Sequence, residues 1–416
     1  MNNIENEPNV KKEAARKAGG VDKTAKPYLD ADILEEYLRQ RGCRIYYNVI
    51  SRRMVISGMP EENPEFIADN LPVILASELR EYFRGCNTES VMSFLNIIMS
   101  RDPINPVLSR LSFEKEDDID RITQLYYILG IPEEDELSRV LVKKWLMQCI
   151  AMQYNNVEEP FGAEGVLCLT GNQGIGKTSF FRTLAMFPEY FKEGMAIDFK
   201  DKDTYIRALS GWICELGEVE STLKKDIEKL KAFITQPVDE YRKPYGRSDI
   251  RTARHTSLCA TCNSTEFLID STGNRRFWTI PVQRIDLKAL SELNVPKLWV
   301  QVKRELGDDI QSFRLTLEEQ KALMKRNSQH EKPLAAQLEV ADILSDTGSA
   351  SYRVLEKYMT VSEFKAQNES LRYYSVQQIS QALTKLGVEC VRKREKGKIC
   401  RVRMLPYKVY DKFDYK

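Results

Sequence analysis

Residues 165 to 186 constrain the fold of this chain more than any other stretch. They begin as a short apolar, β-prone run, Gly165-Val166-Leu167-Cys168-Leu169-Thr170. They pass through Gly171-Asn172-Gln173-Gly174-Ile175-Gly176-Lys177-Thr178 and enter a helix-compatible stretch that opens Ser179-Phe180-Phe181-Arg182. The middle segment satisfies G-x-x-x-x-G-K-[ST] in the strand-to-helix context that this pattern needs. Its glycines let backbone N–H groups turn inward around phosphate oxygens, and the new helix adds its positive end. Gly171 to Ser179 then form a cradle for a nucleoside triphosphate such as ATP. In that arrangement Lys177 reaches the β- and γ-phosphates and Thr178 holds Mg²⁺. The expected class is α/β, but the loop alone does not say how the energy is used.

Composition bounds the rest. A chain of 416 residues, 42% hydrophobic and 30% charged, is an ordinary soluble protein with room for two or three domains. Its formal net charge is +1, so affinity for nucleic acid must come from local patches. No apolar run approaches a membrane span, and Met1-Asn2-Asn3-Ile4-Glu5-Asn6 has no apolar signal core. The nine cysteines are odd in number and scattered, which suits a reducing cytoplasm. Cys259-Ala260-Thr261-Cys262 has no second pair nearby and lies in an apolar run, so it reads as buried thiols rather than zinc ligands. Two histidines, His255 and His330, argue against a His-based active site.

Four segments are expected. Residues 1–26 form a polar, basic, disordered arm. Residues 27–155 form a mainly helical domain, with a hairpin that pairs Arg44–Val49 with Met54–Ile56. Residues 156–345 form the ATPase domain. Residues 350–416 form a small domain after the polar linker Asp346–Ser351.

A phosphate loop needs acidic partners. In Trp212-Ile213-Cys214-Glu215-Leu216-Gly217-Glu218 an apolar strand ends in one carboxylate, with another three residues on. Glu215 is the candidate for the metal's water shell and Glu218 for orienting or deprotonating water. The roles can be exchanged, or shared with Glu220. The strand Ser257-Leu258-Cys259-Ala260-Thr261-Cys262 ends in Asn263, a polar residue placed to sense a γ-phosphate. Asp270–Trp278 carries Arg275 and Arg276 after a turn, and arginine suits the charge on a transferring phosphoryl group. Between these elements lie Lys231 and a basic, aromatic stretch with Arg242, Lys243, Tyr245 and Arg247. Cations interleaved with tyrosine suit a single strand, whose phosphates they pair and whose bases they stack on.

This order of elements resembles the virulence-associated protein E family, among the superfamily 3 helicase-like ATPases of phages, plasmids and genomic islands. The resemblance rests on Trp212–Glu218, Lys231-Ala232-Phe233-Ile234 and Gly273-Asn274-Arg275-Arg276-Phe277-Trp278. It implies an AAA+-like core, assembly into a ring such as a homo-hexamer, and ATP sites between subunits. It also implies a pore hairpin on single-stranded DNA near Arg242, Lys243, Tyr245 and Arg247. Arg275 and Arg276 become candidates for the finger that completes a neighbour's site, and Asn263 becomes the sensor. Related chains often carry a primase upstream. No acidic primase triad is apparent here, so priming would come from another protein.

The C-terminal segment reads as helix, helix and basic hairpin. Ser375 caps a helix whose Val376, Ile379, Leu383 and Leu386 share a face, and Gly387 ends it. Two strands follow around Glu395–Lys398, with Arg392, Lys393, Arg394, Lys396, Lys398, Arg401 and Arg403. This pattern predicts a winged-helix-like domain whose wing meets phosphates, although the same fold also serves protein docking. The functional expectation is an ATP-dependent DNA helicase or translocase for replication of a mobile element. The alternative is a DNA-binding ATPase that initiates or loads without unwinding. A small-molecule kinase shares the loop but has no use for the basic elements.

Overall fold

The structure is a computed structural model. It describes residues 26–58, 66–199, 201–217, 228–242, 249–263, 274–328, 335–348, 352–395 and 398–410. The expected arm at 1–26, apart from Lys26, lies outside the described residues, as do Glu218, Glu220, Lys243, Tyr245, Arg247 and Lys396. The chain divides into two compact units, the first ending at Asn327 and the second beginning at Ser328.

The first unit opens with α1 (Ala31–Gln40) and the hairpin β1 (Arg44–Asn48) and β2 (Arg53–Ser57), paired antiparallel with Tyr46 opposite Val55. Then come α2 (Ile67–Leu79), α3 (Thr88–Arg101) and the two-residue β3 (Pro103–Ile104), which adds in parallel to β1. Leu34, Leu38, Leu71, Leu75, Val91 and Leu95 bury the apolar faces of α1 to α3 in a core of their own. After β3 come α4 (Pro106–Ser112), α5 (Arg121–Ile128) and α6 (Glu136–Ala151). Their buried side chains, among them Val107, Leu125, Trp145 and Leu146, join a different core, the one under the phosphate-loop sheet. The expected boundary at residue 155 placed these helices outside the ATPase region, whereas their packing groups them with it.

That sheet is built from β4 (Val166–Thr170), β5 (Phe191–Met195), β6 (Ile213–Leu216), β9 (Ser257–Cys262) and β10 (Phe277–Pro281). Between β4 and β5 lies α7 (Lys177–Leu184), and α8 (Lys202–Ala208) precedes β6. A separate hairpin, β7 (Val238–Arg242) and β8 (Asp249–Ala253), follows a helical segment over 228–235. All five strands run parallel in the order β10-β4-β9-β6-β5, so β9 is inserted between the loop strand and the acidic strand. Every residue of β4 is buried, as expected of a central parallel strand covered on both faces. Three helices complete the unit: α9 (Leu287–Glu292), α10 (Val295–Leu306) and α11 (Leu317–Asn327).

The four tryptophans tie these layers together. Each is fully buried, and each indole N–H finds a carbonyl. Trp145 on α6 donates to Leu258 O (2.9 Å), Trp212 to Cys149 O (3.0 Å), Trp299 on α10 to Leu184 O (2.8 Å) and Trp278 to Arg275 O (3.2 Å).

The second unit holds α12 (Ala335–Ser345), β11 (Tyr352–Met359), α13 (Val361–Gln367), α14 (Val376–Lys385), β12 (Val391–Glu395) and β13 (Lys398–Tyr410). Its sheet is antiparallel, in the order β11-β13-β12. Capping boxes start both α13 (Thr360 with Glu363) and α14 (Ser375 with Gln378). Ala336 and Val340 of α12 pack with Phe364, Leu371, Ile379, Leu383 and Leu405, so α12 belongs to this unit rather than to the ATPase region expected to reach 345.

Candidate functional site

Most helices of the first unit begin with an aspartate or asparagine whose side chain accepts from the first turn. Asp30, Asn87, Asn105, Asp120, Asp135, Asp201, Asp286 and Asn294 cap α1, α3, α4, α5, α6, α8, α9 and α10. Helix α7 departs from this pattern. Its N-cap is Gly176, at φ +94°, and no side chain accepts from its first turn. The N–H groups that other helices satisfy with a carboxylate or amide are here free for an external anion. Gly171, at the other end of the loop, passes so close to the residue that follows β10 that a Cβ would lie 2.1 Å from Val282 O. Asn172, Gln173 and Gly174 are exposed, and Ile175 and Ser179 are half-buried.

Lys177 and Thr178, at the start of α7, meet side chains from the ends of two adjacent strands, Glu215 of β6 and Thr261 and Asn263 at the end of β9. Lys177 is buried, and its Nζ donates to Gly171 O (2.7 Å), Asn172 O (2.7 Å) and Asn263 Oδ1 (3.1 Å). Burial pulls its pKa below the usual lysine range, and Glu215 acts against that shift. Glu215, only 3% exposed at the end of β6, accepts at Oε1 from Thr178 Oγ1 and Thr261 Oγ1, both at 2.8 Å. Its other oxygen accepts from Gly194 N at 3.3 Å. The hydroxyl-plus-carboxylate pair is the donor set a hard cation takes. Inserting β9 between β4 and β6 is what lets Asn263 and Thr261 reach both the lysine and the glutamate. Thr261 and Gly194 carried no signal in the sequence, because their contribution depends on strand order.

Arg275 and Arg276 form a short 3₁₀ turn before β10. Asn327, fully buried on α11, clamps that turn. Its Nδ2 donates to Asn274 O (2.7 Å) and Phe277 O (2.8 Å), and its Oδ1 accepts from Thr279 (2.7 Å). Arg275 is exposed. Arg276 is half-buried with its Nε unpartnered, and burial together with the charge of Arg275 lowers its pKa.

Of the basic residues expected on DNA, Lys231 lies in the interior. It is 5% exposed, its ammonium is 2.9 Å from Glu228, and it does not present itself to a strand. Arg242 ends β7 and Asp249 opens β8, opposite each other in the ladder. The root of this hairpin is fixed by charge. Asp239, fully buried, pairs with Arg254 and with Arg52 of the β1–β2 turn (2.6 Å). Arg254 also donates to Phe233 O and to the hydroxyl of Tyr205 (3.2 Å). Burial pushes the Asp239 carboxyl up, but the two guanidiniums outweigh it and hold it below the usual range. In the second unit Arg392 and Arg394 are exposed on one face of β12, and Lys393 on the other lies 3.1 Å from the Tyr358 ring centroid. Lys398 pairs with Glu395 in the ladder. Arg403, expected in the basic patch, is instead buried and donates to Val388 O and to Thr384 Oγ1 (2.6 Å). Cys259 and Cys262 are buried strand residues, and neither is in a disulfide. Among the described residues no helix is long and apolar enough to cross a membrane.

Solved structures similar to this chain include the apo A form of the NrS-1 C-terminal region, at TM-score 0.49 and 13% identity, covering 91% of this chain and 99% of that one. Another is the structure described as "SCCmec type IV Cch - active helicase", at TM-score 0.39 and 12% identity, covering 88% and 92%. No curated protein matches the chain. The virulence-associated protein E-like domain matches residues 108–332, which begins where α4 joins the sheet's core and ends just after α11. With more than half of its length matched, the chain belongs to the virulence-associated protein E-like family.

Proposed function

We propose that the chain is an ATP-dependent DNA helicase or translocase acting in replication of a mobile element, with an AAA+-like core. The observation that carries this reading is the convergence of Lys177, Thr178, Glu215 and Asn263 on one uncapped helix start. Lys177 and the loop N–H groups would bind the β- and γ-phosphates. Thr178 and Glu215 would hold Mg²⁺, which supplies charge neutralisation at the phosphates. Asn263 sits beside the ammonium and would sense the γ-phosphate, while Glu215, alone or with Glu218, would orient water. Arg275 and Arg276, on a turn held by Asn327, would serve a neighbouring subunit of a ring. The β7–β8 hairpin, whose first strand ends at Arg242 and is followed in the sequence by Lys243, Tyr245 and Arg247, would meet single-stranded DNA in the pore.

The second unit favours a further DNA contact. Strand, helix, helix and two strands is the order of a winged helix, and its β12–β13 hairpin exposes Arg392 and Arg394. If this element dominates, the chain is an initiator or loader that prefers a duplex. ATP hydrolysis with and without single-stranded DNA separates the two. Stimulation by single strands supports the motor, and turnover indifferent to them but responsive to duplex supports the loader. Lys177→Ala should abolish hydrolysis and leave the chain folded, as an unchanged far-ultraviolet circular dichroism spectrum would show, with some loss of stability because Gly171 O, Asn172 O and Asn263 Oδ1 lose their donor. Retained turnover would refute the site assignment.

A further inference from the structure

A cleft with several basic residues lies away from the phosphate loop. Between the β1–β2 turn, α8 and β7 is a cleft of about 420 Å³ whose lining includes Ser51, Arg52, Arg53, Arg207 and Tyr241 together with one carboxylate, Asp203. Arg53 and Arg207 are exposed. Lys192 is near enough that, after burial, the charges of Arg53 and Arg207 depress its pKa, with Glu189 acting the other way.

Arg52 makes this more than a basic surface. It is 7% exposed, its guanidinium lies 5.5 Å from the Tyr241 ring centroid, and one terminal nitrogen is paired to Asp239, while the other, Nη1, is buried with no hydrogen bond of its own. Asp239 is already shared with Arg254, so one carboxylate faces two buried guanidiniums and one positive charge is left over. A buried unpaired donor on a charged group is costly unless something completes it. The chain also holds Arg52 at φ +58°, a left-handed conformation that favours glycine. The turn is otherwise well built: Asn48 Oδ1 accepts from Ile50 N (2.9 Å) and Ser51 N (3.0 Å), and Arg52 N donates to Asn48 O (2.8 Å).

We propose that this cleft binds a phosphate group, with Arg52 as the buried anchor and Arg53, Arg207 and the Ser51 hydroxyl closing around it. The ligand is either a backbone phosphate of a single strand that runs past the β7–β8 hairpin or a small free phosphate compound. The first source rests on the DNA-motor reading and the second does not.

The test uses the full chain with Arg53→Ala and Arg207→Ala combined, in a Lys177→Ala background so that the phosphate loop takes little part. Both arginines are exposed, so the melting temperature without ligand should not move. Fluorescence anisotropy with a labelled oligothymidylate, over a range of salt, probes the strand. Thermal stabilisation by inorganic pyrophosphate probes the small ligand. A loss of about tenfold in oligothymidylate affinity, with a salt slope lower by about 1, assigns the site to a strand phosphate. Unchanged oligothymidylate binding with pyrophosphate stabilisation lost assigns it to a small phosphate compound. Identical behaviour of the double variant and its parent in both assays overturns the site. If the parent binds no oligothymidylate, the motor reading fails, and the pyrophosphate arm still decides the cleft.

Discussion

Single side chains in this molecule carry charge into places where its loss should be conspicuous. Asp239→Asn keeps the shape of the hairpin root but leaves Arg52 and Arg254 buried without a counter-charge. Breaking a buried pair by removing one partner costs about 3–5 kcal/mol, so urea unfolding should show a loss of at least about 3 kcal/mol relative to the parent. The neighbouring His255 is held neutral. Burial lowers its pKa to about 4, and its Nδ1 lies 3.0 Å from Met152 O. The folded-state value lies below the unfolded one near 6.5. The unfolded chain therefore takes up the proton first as pH falls, and stability is full above about pH 6.5 and drops towards pH 4. Between roughly pH 7.5 and pH 5 this single group should cost about 2 kcal/mol. His255→Gln should flatten that part of the unfolding profile. An equally steep profile in the variant would place the effect elsewhere.

Among the elements, the phosphate loop depends on how tightly its strand is set against its neighbour. Gly171→Ala would drive a methyl group into Val282 O, a backbone atom that cannot swing away. A cost of about 2 kcal/mol should lower the melting temperature by about 3 °C in scanning calorimetry. The same elements show what a sequence can and cannot reveal. The apolar run of β4, the β1–β2 hairpin and the capped helix α14 were legible because each is announced by local chemistry. Strand β5 was not, since Phe191-Lys192-Glu193-Gly194-Met195 sits at a sheet edge and has no buried alternation. Strand β11, with five of its eight residues exposed, hid for the same reason. Helices α4 to α6 displayed an apolar face, but periodicity does not say which core that face meets. The loop residues of the candidate site could be read from spacing, whereas Thr261, Asn327 and Arg52 act through contacts across the fold that no spacing encodes.

For the molecule as a whole, the proposal is one of assembly. If Arg275 or Arg276 serves a neighbour, each variant alone should bind nucleotide and fail to turn it over. Mixing an Arg276→Ala chain with a Lys177→Ala chain should then restore part of the activity, because some interfaces regain one intact lysine and one intact arginine. Absence of rescue in a mixture shown by mass measurement to co-assemble would confine the arginines to their own subunit. The path that would carry the motion is short. Strand β8 ends at Ala253 and β9 begins at Ser257, and of the three residues between them Arg254 and Thr256 are fully enclosed. Arg254 is pinned to Asp239, and Thr256 Oγ1 donates to Leu209 O (3.1 Å) and Gly211 O (2.7 Å). Mechanically, β8 and β9 are one rod without slack. Its far end carries Asn263 against Lys177 and its near end is a leg of the β7–β8 hairpin, so a shift at one end has no loose coil in which to dissipate.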